Sequence, residues 1–297
     1  MVAILREAGL SALVESSAVV EVLGEGFQFT EGPLWFVDGS ILVQDLKAEK
    51  TYRLERGRPA AVLRENNRGA NGQTFGADGR VVFCEQNGRR VSVMNADGSG
   101  VETLVESWSG KRLNSPNDVV ARSDGLIYFT DPPYGVAAED RALHFQGVYA
   151  FDYGKSGDLR LLADDFEKPN GLAFSADEKT LYVCDTARYH VRAFDVERAG
   201  SFKAGSSRVF ARLDPGVAGG PDGIKVDRAG RVYVAVALGI WVFEATGELL
   251  GILALPNRPA NLTWCDPDAS RLAITAVDGV YSIRLKVEGI LPIFTGR

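Results

Sequence analysis

Short apolar runs alternate with polar turns along this chain, and one arrangement of them recurs six times. Each copy has a polar opening, an apolar run, a turn and a second apolar run, as in ANGQTFGADGRVVFCEQ and SPNDVVARSDGLIYFTDP. Asp78-Gly79 and Asp124-Gly125 occupy the turns of these two copies, and such dipeptides between apolar runs are typical of β-hairpins. The pattern therefore predicts six hairpins of antiparallel strands.

The copies recur at the spacing of a larger structural repeat. Their equivalent positions are Glu31, Asn71, Asn117, Asn170, Asp222 and Ala260, so the steps between them are 40, 46, 53, 52 and 38 residues by subtraction. A period of about 40–50 residues is the length of a four-stranded propeller blade. We therefore predict an all-β fold, a six-bladed β-propeller with four-stranded blades. A pair of β-sandwiches is the structural alternative.

The N-terminal part of the chain fits this prediction. Residues 17–297 are expected to form the propeller domain, and residues 1–16 a short helical extension, with an amphipathic helix at residues 5–14. Residues 18–29 are available to supply the outer strand that closes the ring against the last blade. Closure is needed because an unpaired strand edge exposes backbone N–H and C=O groups.

Composition and charge exclude several classes of protein. Hydrophobic residues make up 45% and charged residues 24% of the chain, which is the balance of a soluble globular protein. The formal net charge is −6, and the adjacent basic pairs are isolated, so nucleic acid is not an expected partner. Arg6, Glu7 and Glu15 interrupt the apolar N-terminal stretch, and no run reaches the roughly 18 apolar residues of a membrane span. A cytoplasmic protein is expected, with its oligomeric state open.

Cysteine and histidine give no sign of covalent catalysis. Cys84, Cys184 and Cys265 are an odd number at scattered spacing, so we expect buried free thiols rather than disulfides or a zinc site. His144 and His190 are expected at the surface. The chain has no Gly-x-Ser-x-Gly motif of a serine hydrolase.

The repeat itself predicts a metal site. The innermost strands of a propeller run in the same sense along its axis, so equivalent positions form a ring at one height. Here that ring holds two carboxylates, three amides and one alanine: Glu31, Asp222, Asn71, Asn117, Asn170 and Ala260. Ca²⁺ takes about 6–8 oxygen ligands of these kinds, whereas zinc and copper prefer the histidine and cysteine that are absent from the ring. We predict Ca²⁺, with Mg²⁺ or Mn²⁺ as alternatives.

Each ring position has an ordinary explanation when it is taken alone. Asn170-Gly171 is a common turn dipeptide, and Glu31 is typical of a solvated loop. The indication comes from the whole column, in which five of six equivalent positions carry a side-chain oxygen while the strands that follow are apolar.

Several motifs carry a resemblance to a known family. They are EGPLW at residues 31–35, LNSPNDV at 113–119, YFTDPPYG at 128–135, PNGL at 169–172 and PDG at 221–223. Together they resemble the gluconolactonase, regucalcin (senescence marker protein) and luciferin-regenerating-enzyme family of calcium-dependent propellers, over residues 26–295 and most nearly its bacterial gluconolactonase branch. The resemblance implies that Glu31, Asn170 and Asp222 are metal ligands and that Asn117 reaches metal or substrate.

Two positions depart from the family pattern. The regucalcin branch has an arginine, implicated in sugar binding, where this chain has Ser115. The bacterial branch often has a histidine after the Cys84-Glu85 pair, where this chain has Gln86. Neither the arginine nor the histidine role is expected here at these positions.

The implied reaction is hydrolysis of a sugar lactone such as glucono-1,5-lactone to its aldonic acid. A bound cation stabilises the negative charge that grows on the lactone carbonyl as water adds. Asp222 is the predicted catalytic base, although a carboxylate bound to a cation has a lowered pKa and is a weak base. Asp131, Glu85 and Asp45, each at the end of a second strand, are therefore alternatives.

Substrate contacts are predicted from Asn71, Asn117, Asp131 and Tyr134, the last in a long loop at residues 132–146 that is placed to cover the channel mouth. Two other functions remain open. One is a phosphotriesterase-like hydrolase on the same metal site, and the other is a non-catalytic propeller that binds calcium.

Overall fold

Six antiparallel sheets surround one central channel, so the predicted six-bladed β-propeller is confirmed. The structure is a computed structural model that describes residues 4–6, 9–155, 158–197, 200–214 and 216–292. Within those ranges no helix is long and apolar enough to cross a membrane.

The N-terminal residues contribute two outer strands and one turn of 3-10 helix: β1 (Ile4–Arg6), η1 (Leu10–Ala12) and β2 (Glu21–Glu25). The first three blades follow in chain order. Blade 1 is β3 (Thr30–Trp35), β4 (Ile41–Asp45), β5 (Lys50–Leu54) and β6 (Ala61–Glu65). Blade 2 is β7 (Ala70–Phe75), β8 (Val81–Glu85), β9 (Arg90–Met94) and β10 (Glu102–Val105). A small hairpin, β11 (Ser107–Trp108) and β12 (Lys111–Arg112), leads to blade 3, which is β13 (Val119–Ala121), β14 (Leu126–Asp131), β15 (Gln146–Asp152) and β16 (Arg160–Phe166).

The remaining blades complete the circle. A second 3-10 turn, η2 (Ala138–Asp140), lies in the loop between β14 and β15. Blade 4 is β17 (Pro169–Phe174), β18 (Thr180–Asp185), β19 (His190–Asp195) and β20 (Arg208–Arg212). Blade 5 is β21 (Ile224–Val226), β22 (Val232–Val236), β23 (Gly239–Phe243) and β24 (Leu249–Ala254), and blade 6 is β25 (Asn261–Cys265), β26 (Arg271–Ala276) and β27 (Gly279–Arg284).

The N-terminal segment closes the ring as predicted. Strand β2 pairs with β27 in antiparallel register, with Glu21 opposite Ser282, and the innermost strand β25 contacts β3. A buried guanidinium supports the junction, because Arg271 Nη1 lies 3.0 Å from Glu21 Oε2. Blade 6 therefore takes its outer strand from the other end of the chain.

The extension differs from the predicted amphipathic helix at residues 5–14. Strand β1 adds to β24 as a fifth strand of blade 5, and the helical part is the single turn η1, while residues 7 and 8 lie outside the described residues. Leu10, Leu13 and Val14 are buried in the hydrophobic cluster between blades 5 and 6. Pairing with the open edge of β24 and burial in the apolar groove beside it stabilise this conformation. A short isolated helix would be only marginally stable.

The core lies between the blades. Neighbouring sheets pack face to face through six buried hydrophobic clusters, and Trp264 and Tyr128 are among the largest fully buried side chains. Cys84, Cys184 and Cys265 are buried free thiols, as predicted. The channel walls are thus held by packing on all sides.

Candidate functional site

The predicted ring positions lie at the starts of the innermost strands. Glu31, Asn71 and Asn170 are the second residues of β3, β7 and β17. The other three positions come just before their strands, and each backbone N–H donates to the neighbouring second strand at 2.8–2.9 Å: Asn117 to Thr130, Asp222 to Ala235 and Ala260 to Thr275. All six positions therefore occupy equivalent places at one end of the channel.

Beneath the ring, the residues that follow each ring position close the channel. We call this layer the glycine belt, and it consists of Gly32, Gly72, Asp118, Gly171, Gly223 and Asn261. Backbone groups bond between neighbouring blades here, since Gly72 N–H donates to Asn117 O at 2.8 Å and Gly223 N–H donates to Ala260 O at 2.8 Å. A Cβ atom on any of the four glycines would overlap the adjacent strand. The glycines thus let the strands approach closely and draw the ring side chains together.

The ring contains two carboxylates, and the described residues place fewer than two positive side chains beside them. Burial raises the pKa of Glu31 well above its usual value, and the charges of Asp222 and Asp118 raise it further. Burial also raises the pKa of Asp222 to about 7, although Arg258 opposes this effect. Glu31 is only 3% exposed. Buried acids that repel one another are stabilised when a positive charge binds between them.

The amides offer oxygen and nitrogen to the same space. Asn71 Oδ1 is buried and has no hydrogen-bond partner among the described residues. Asn170 Nδ2 donates to Thr186 Oγ1 at 3.0 Å and to Tyr134 Oη at 3.4 Å, which leaves Asn170 Oδ1 available as an acceptor. Asn117 is 5% exposed and lies between Asn71 and Asn170 in the ring. A buried acceptor without a donor is a site that a cation or a substrate hydroxyl satisfies.

The donor set fits a hard divalent cation through its amides as well as its acids. No cluster of three or more histidine, cysteine or acidic side chains with metal-binding geometry occurs in the described part of the chain. The ring itself holds only two carboxylates, and its remaining oxygens belong to Asn71, Asn117 and Asn170. Such a mixture of carboxylate and carbonyl oxygen is what Ca²⁺ accepts.

Two belt residues escaped the sequence prediction. Asp118 is 3% exposed, burial raises its pKa, and its Oδ2 accepts from Asn261 Nδ2 at 3.4 Å. The Asn261 side chain also bonds to Glu31, which lowers the pKa of that acid. The signal was present one position after the ring, where four repeats have glycine and these two have polar side chains.

Tyr134, predicted as a substrate contact, lies beside the ring residue Asn170. Its hydroxyl meets Asn170, its side chain remains 39% exposed, and burial raises its pKa to about 12. The two positions that depart from the family pattern hold this loop, because Ser115 Oγ accepts from Gly135 N–H at 2.7 Å and a Cβ atom on Gly135 would contact Gln86.

The alternative bases are engaged in structural contacts. Asp45, Asp131 and Asp185 each accept from two successive backbone N–H groups ahead of the innermost strand of their own blade, at 2.7–3.0 Å. Glu85 is buried beside Arg64 and Arg90. Asp131 has no exposed surface, and both of its carboxylate oxygens accept from backbone N–H groups, so its contact with substrate stays a prediction.

One charged residue at the mouth was not foreseen. Arg258 precedes blade 6, its side chain is 43% exposed, and its Nη2 lies 4.0 Å from Asp222 Oδ2. Asp222 is 15% exposed, whereas Glu31 and Asp118 are almost fully buried. The open face of the ring thus presents one accessible carboxylate next to one guanidinium.

Comparison with known proteins places the chain in one family. Residues 29–278 match the family model described as SMP-30/Gluconolactonase/LRE-like region. The chain is 30% identical to a gluconolactonase of Zymomonas mobilis, over 94% of this chain and 85% of that protein. It is similar to the solved structure of a gluconolactonase from Xanthomonas campestris, with a TM-score of 0.84, 34% identity and coverage of 96% and 94%. The calcium-binding regucalcin of Agrobacterium tumefaciens shares the fold, with a TM-score of 0.76, 18% identity and coverage of 93% and 96%.

Proposed function

The chain belongs to the SMP-30/gluconolactonase/LRE-like family and is a lactonase, and from this premise we propose that it hydrolyses a small sugar lactone, of the glucono-1,5-lactone kind, with a divalent cation held in the ring. The observation that carries the proposal is a pair of repelling acids, the buried Glu31 and the partly buried Asp222, beside the unpartnered acceptor Asn71 Oδ1.

Four side chains would hold the cation: Glu31, Asn117, Asn170 and Asp222. Ca²⁺ is our first choice, and calcium binding by the regucalcin of the same fold supports it; Mg²⁺ and Mn²⁺ also accept such oxygens. When bound, the cation supplies positive charge next to the lactone carbonyl.

The other ring residues bind and orient the lactone. Asn71 and Asn117 have amide N–H groups for the sugar hydroxyls or for the oxyanion. Tyr134 provides a wall on the Asn170 side, and Arg258 provides donors on the opposite side of Asp222. Placing donors around the reacting group in this way fixes the lactone for attack by water.

We propose Asp222 as the group that takes the proton of the attacking water. It is the more accessible of the two ring acids, and a general base must reach the proton that it takes. Coordination to a cation lowers the pKa of a carboxylate, so the base function requires that one Asp222 oxygen remains directed to the water.

A test separates cation binding from base catalysis. Chelator-treated protein should lose turnover of D-glucono-1,5-lactone and regain it with Ca²⁺, Mg²⁺ or Mn²⁺. Asn170→Ala should bind Ca²⁺ more weakly by calorimetry, whereas Asp222→Asn keeps an oxygen ligand and should lose turnover by at least about a hundredfold, a usual size for general-base catalysis. Asp164→Asn, an exposed acid on β16, is the matched control.

Full activity in both Asn170→Ala and Asp222→Asn would remove the proposed site. A panel with other aldonolactones and one phosphotriester defines the substrate class, and turnover of the phosphotriester alone would contradict the lactone assignment. A protein that binds Ca²⁺ but turns over no lactone would contradict the catalytic proposal.

A further inference from the structure

A second cavity lies on the other side of the glycine belt. Its volume is about 690 Å³, which lies within the usual range of small-molecule sites. The later residues of the innermost strands line it, including Leu34, Phe75, Phe174 and Val226, and residues 290–292 cover part of its mouth. None of the ring residues lines this cavity, so it is separate from the proposed lactone site.

Three cationic residues line this cavity, Arg122, Lys225 and Arg228, and Lys225 is the one that lies on an innermost strand. The side chains three positions after the ring are Leu34, Thr74, Val120, Ala173, Lys225 and Thr263, and all of them line the cavity. Lys225 is the charged member of this set. Its Nζ donates to the backbone O of the preceding Ile224 at 3.0 Å. In the described ranges, no carboxylate oxygen lies within 4.0 Å of that Nζ, and the acid that senses its charge is Asp118, in the belt.

The charged groups at the mouth of the cavity are already paired. Arg122 Nε lies 3.6 Å from Asp124 Oδ2, Arg228 pairs with Glu288, and Glu178 accepts from the Ser123 backbone N–H at 2.9 Å. Lys225 differs from these groups, since its side chain is partly buried, Asp118 in the belt senses its charge, and no described carboxylate comes within ion-pair distance of it. A partly buried charge is stabilised by a ligand of opposite sign.

We propose that this cavity, which we name the lower chamber, binds a small organic carboxylate with an apolar body. The carboxylate pairs with Lys225 Nζ, and the apolar body packs against Phe75, Phe174 and Leu34. Burial of apolar surface and a charge-assisted hydrogen bond favour the same occupant. A polyhydroxylated sugar lactone matches Leu34, Phe75 and Phe174 poorly, because hydroxyls placed against these side chains would lose water without gaining partners.

Calorimetric titration with octanoate and 1-octanol tests the proposal, because the two probes share an apolar body and differ in charge. Octanoate should bind the protein at least about tenfold more tightly than 1-octanol, a difference well within calorimetric resolution. Lys225→Met should remove this preference and leave 1-octanol unchanged, and Lys225→Arg should retain it. Lys50→Met, which removes a lysine paired with Glu65 on an outer strand, should behave as the parent chain.

Three results would overturn the proposal. The first is equal affinity of the parent chain for the two probes. The second is an affinity for octanoate that is the same in Lys225→Met as in the parent chain. The third is an affinity for octanoate that Val120→Phe does not weaken. The last variant adds bulk to the chamber wall without changing Lys225, and it decides the matter if Lys225→Met fails to fold. Octanoate that binds instead to a cation in the ring is recognised by its persistence in Lys225→Met.

Discussion

Asp222 has the accessible carboxylate of the ring, and its charged neighbours decide what it can do. Arg258 lowers the pKa of this acid, while burial and Asp118 raise it. A cation in the ring would take over the role of Arg258 in balancing the carboxylate, which would free the guanidinium for the substrate. The regucalcin branch has an arginine where this chain has Ser115. In this chain Arg258 supplies a guanidinium to the channel mouth, from a different blade.

Arg258 is expected to contribute to substrate binding more than to the chemical step. Arg258→Met should raise KM for glucono-1,5-lactone about tenfold, the size of a lost hydrogen bond from a charged donor, with a smaller change in kcat. Steady-state kinetics measure KM and kcat separately. Arg208→Met is the control, since Arg208 is an exposed residue of β20 that pairs with Asp195. A fall in kcat at constant KM would contradict the assignment.

His190 is buried on β19, so the prediction of a surface histidine at this position was wrong. Burial lowers its pKa, so folded His190 stays neutral while the unfolded side chain, with a pKa near 6.5, takes up a proton. The free energy of unfolding should therefore fall as pH decreases from about 6.5 toward the folded pKa.

Urea unfolding at pH 7 and pH 5 measures this contribution. His190→Leu should lose less stability between the two pH values than the parent chain does. His144→Leu, at an exposed loop position, should keep the parent slope. Identical slopes for the parent chain and His190→Leu would show that the buried imidazole does not set the pH dependence.

At the scale of the strand, small and acidic residues at fixed positions build the site. Gly171 allows β17 to approach the backbone of Asp222, and its N–H donates to Asp222 O at 3.2 Å. Asp45, Asp131 and Asp185 fasten the chain that enters the innermost strand of their blades. Asp45 and Asp131 end their strands near the channel, as the sequence predicted, and their contacts are with backbone N–H groups.

Gly171→Ala is expected to destabilise the fold by about 1–3 kcal/mol, the usual cost of overpacking a rigid core. Its Cβ would overlap Asp222 O and lie 2.8 Å from Gly223 Cα, and backbone atoms have little freedom to move away. Gly154→Ala is the control, since its nearest neighbour would be 3.5 Å away. Equal unfolding free energies for the two variants would contradict the close approach.

At the scale of the molecule, six blades bring charge from distant parts of the chain to one point. Glu31 and Asp222 are close enough to raise the pKa of Glu31, although 191 positions separate them by subtraction of their numbers. Ring closure by β2 and β27 holds this arrangement. The free energy of unfolding of the whole propeller should therefore rise when a cation neutralises the ring carboxylates.

Ca²⁺ should raise the melting temperature, because a ligand present at a hundred times its Kd adds about 2.7 kcal/mol to the folded state. Glu31→Gln should lose most of this gain. Without the cation the same variant should be at least as stable as the parent chain, since it removes one of the repelling acids. Thermal unfolding with chelator and with Ca²⁺ measures both effects. An equal Ca²⁺ response in the variant would exclude Glu31 as a ligand.

The sequence by itself determined the six blades, the closing strand and the column of ring residues. Strand alternation and the repeat length set which residues share a height in the channel, so the pattern alone predicts that Glu31, Asn170 and Asp222 lie together. The proposed roles of these residues rest also on the family motifs in which they lie.

Only the tertiary structure decided what surrounds that column. Asp118 and Asn261 lie one layer deeper, Arg258 arrives on a loop, and Lys225 faces a chamber beyond the belt. The direction of a side chain and the path of a loop depend on packing against strands far away in sequence, which no periodic pattern records. For the same reason Asp131, though correctly placed at a strand end, is turned toward backbone N–H groups rather than toward the channel.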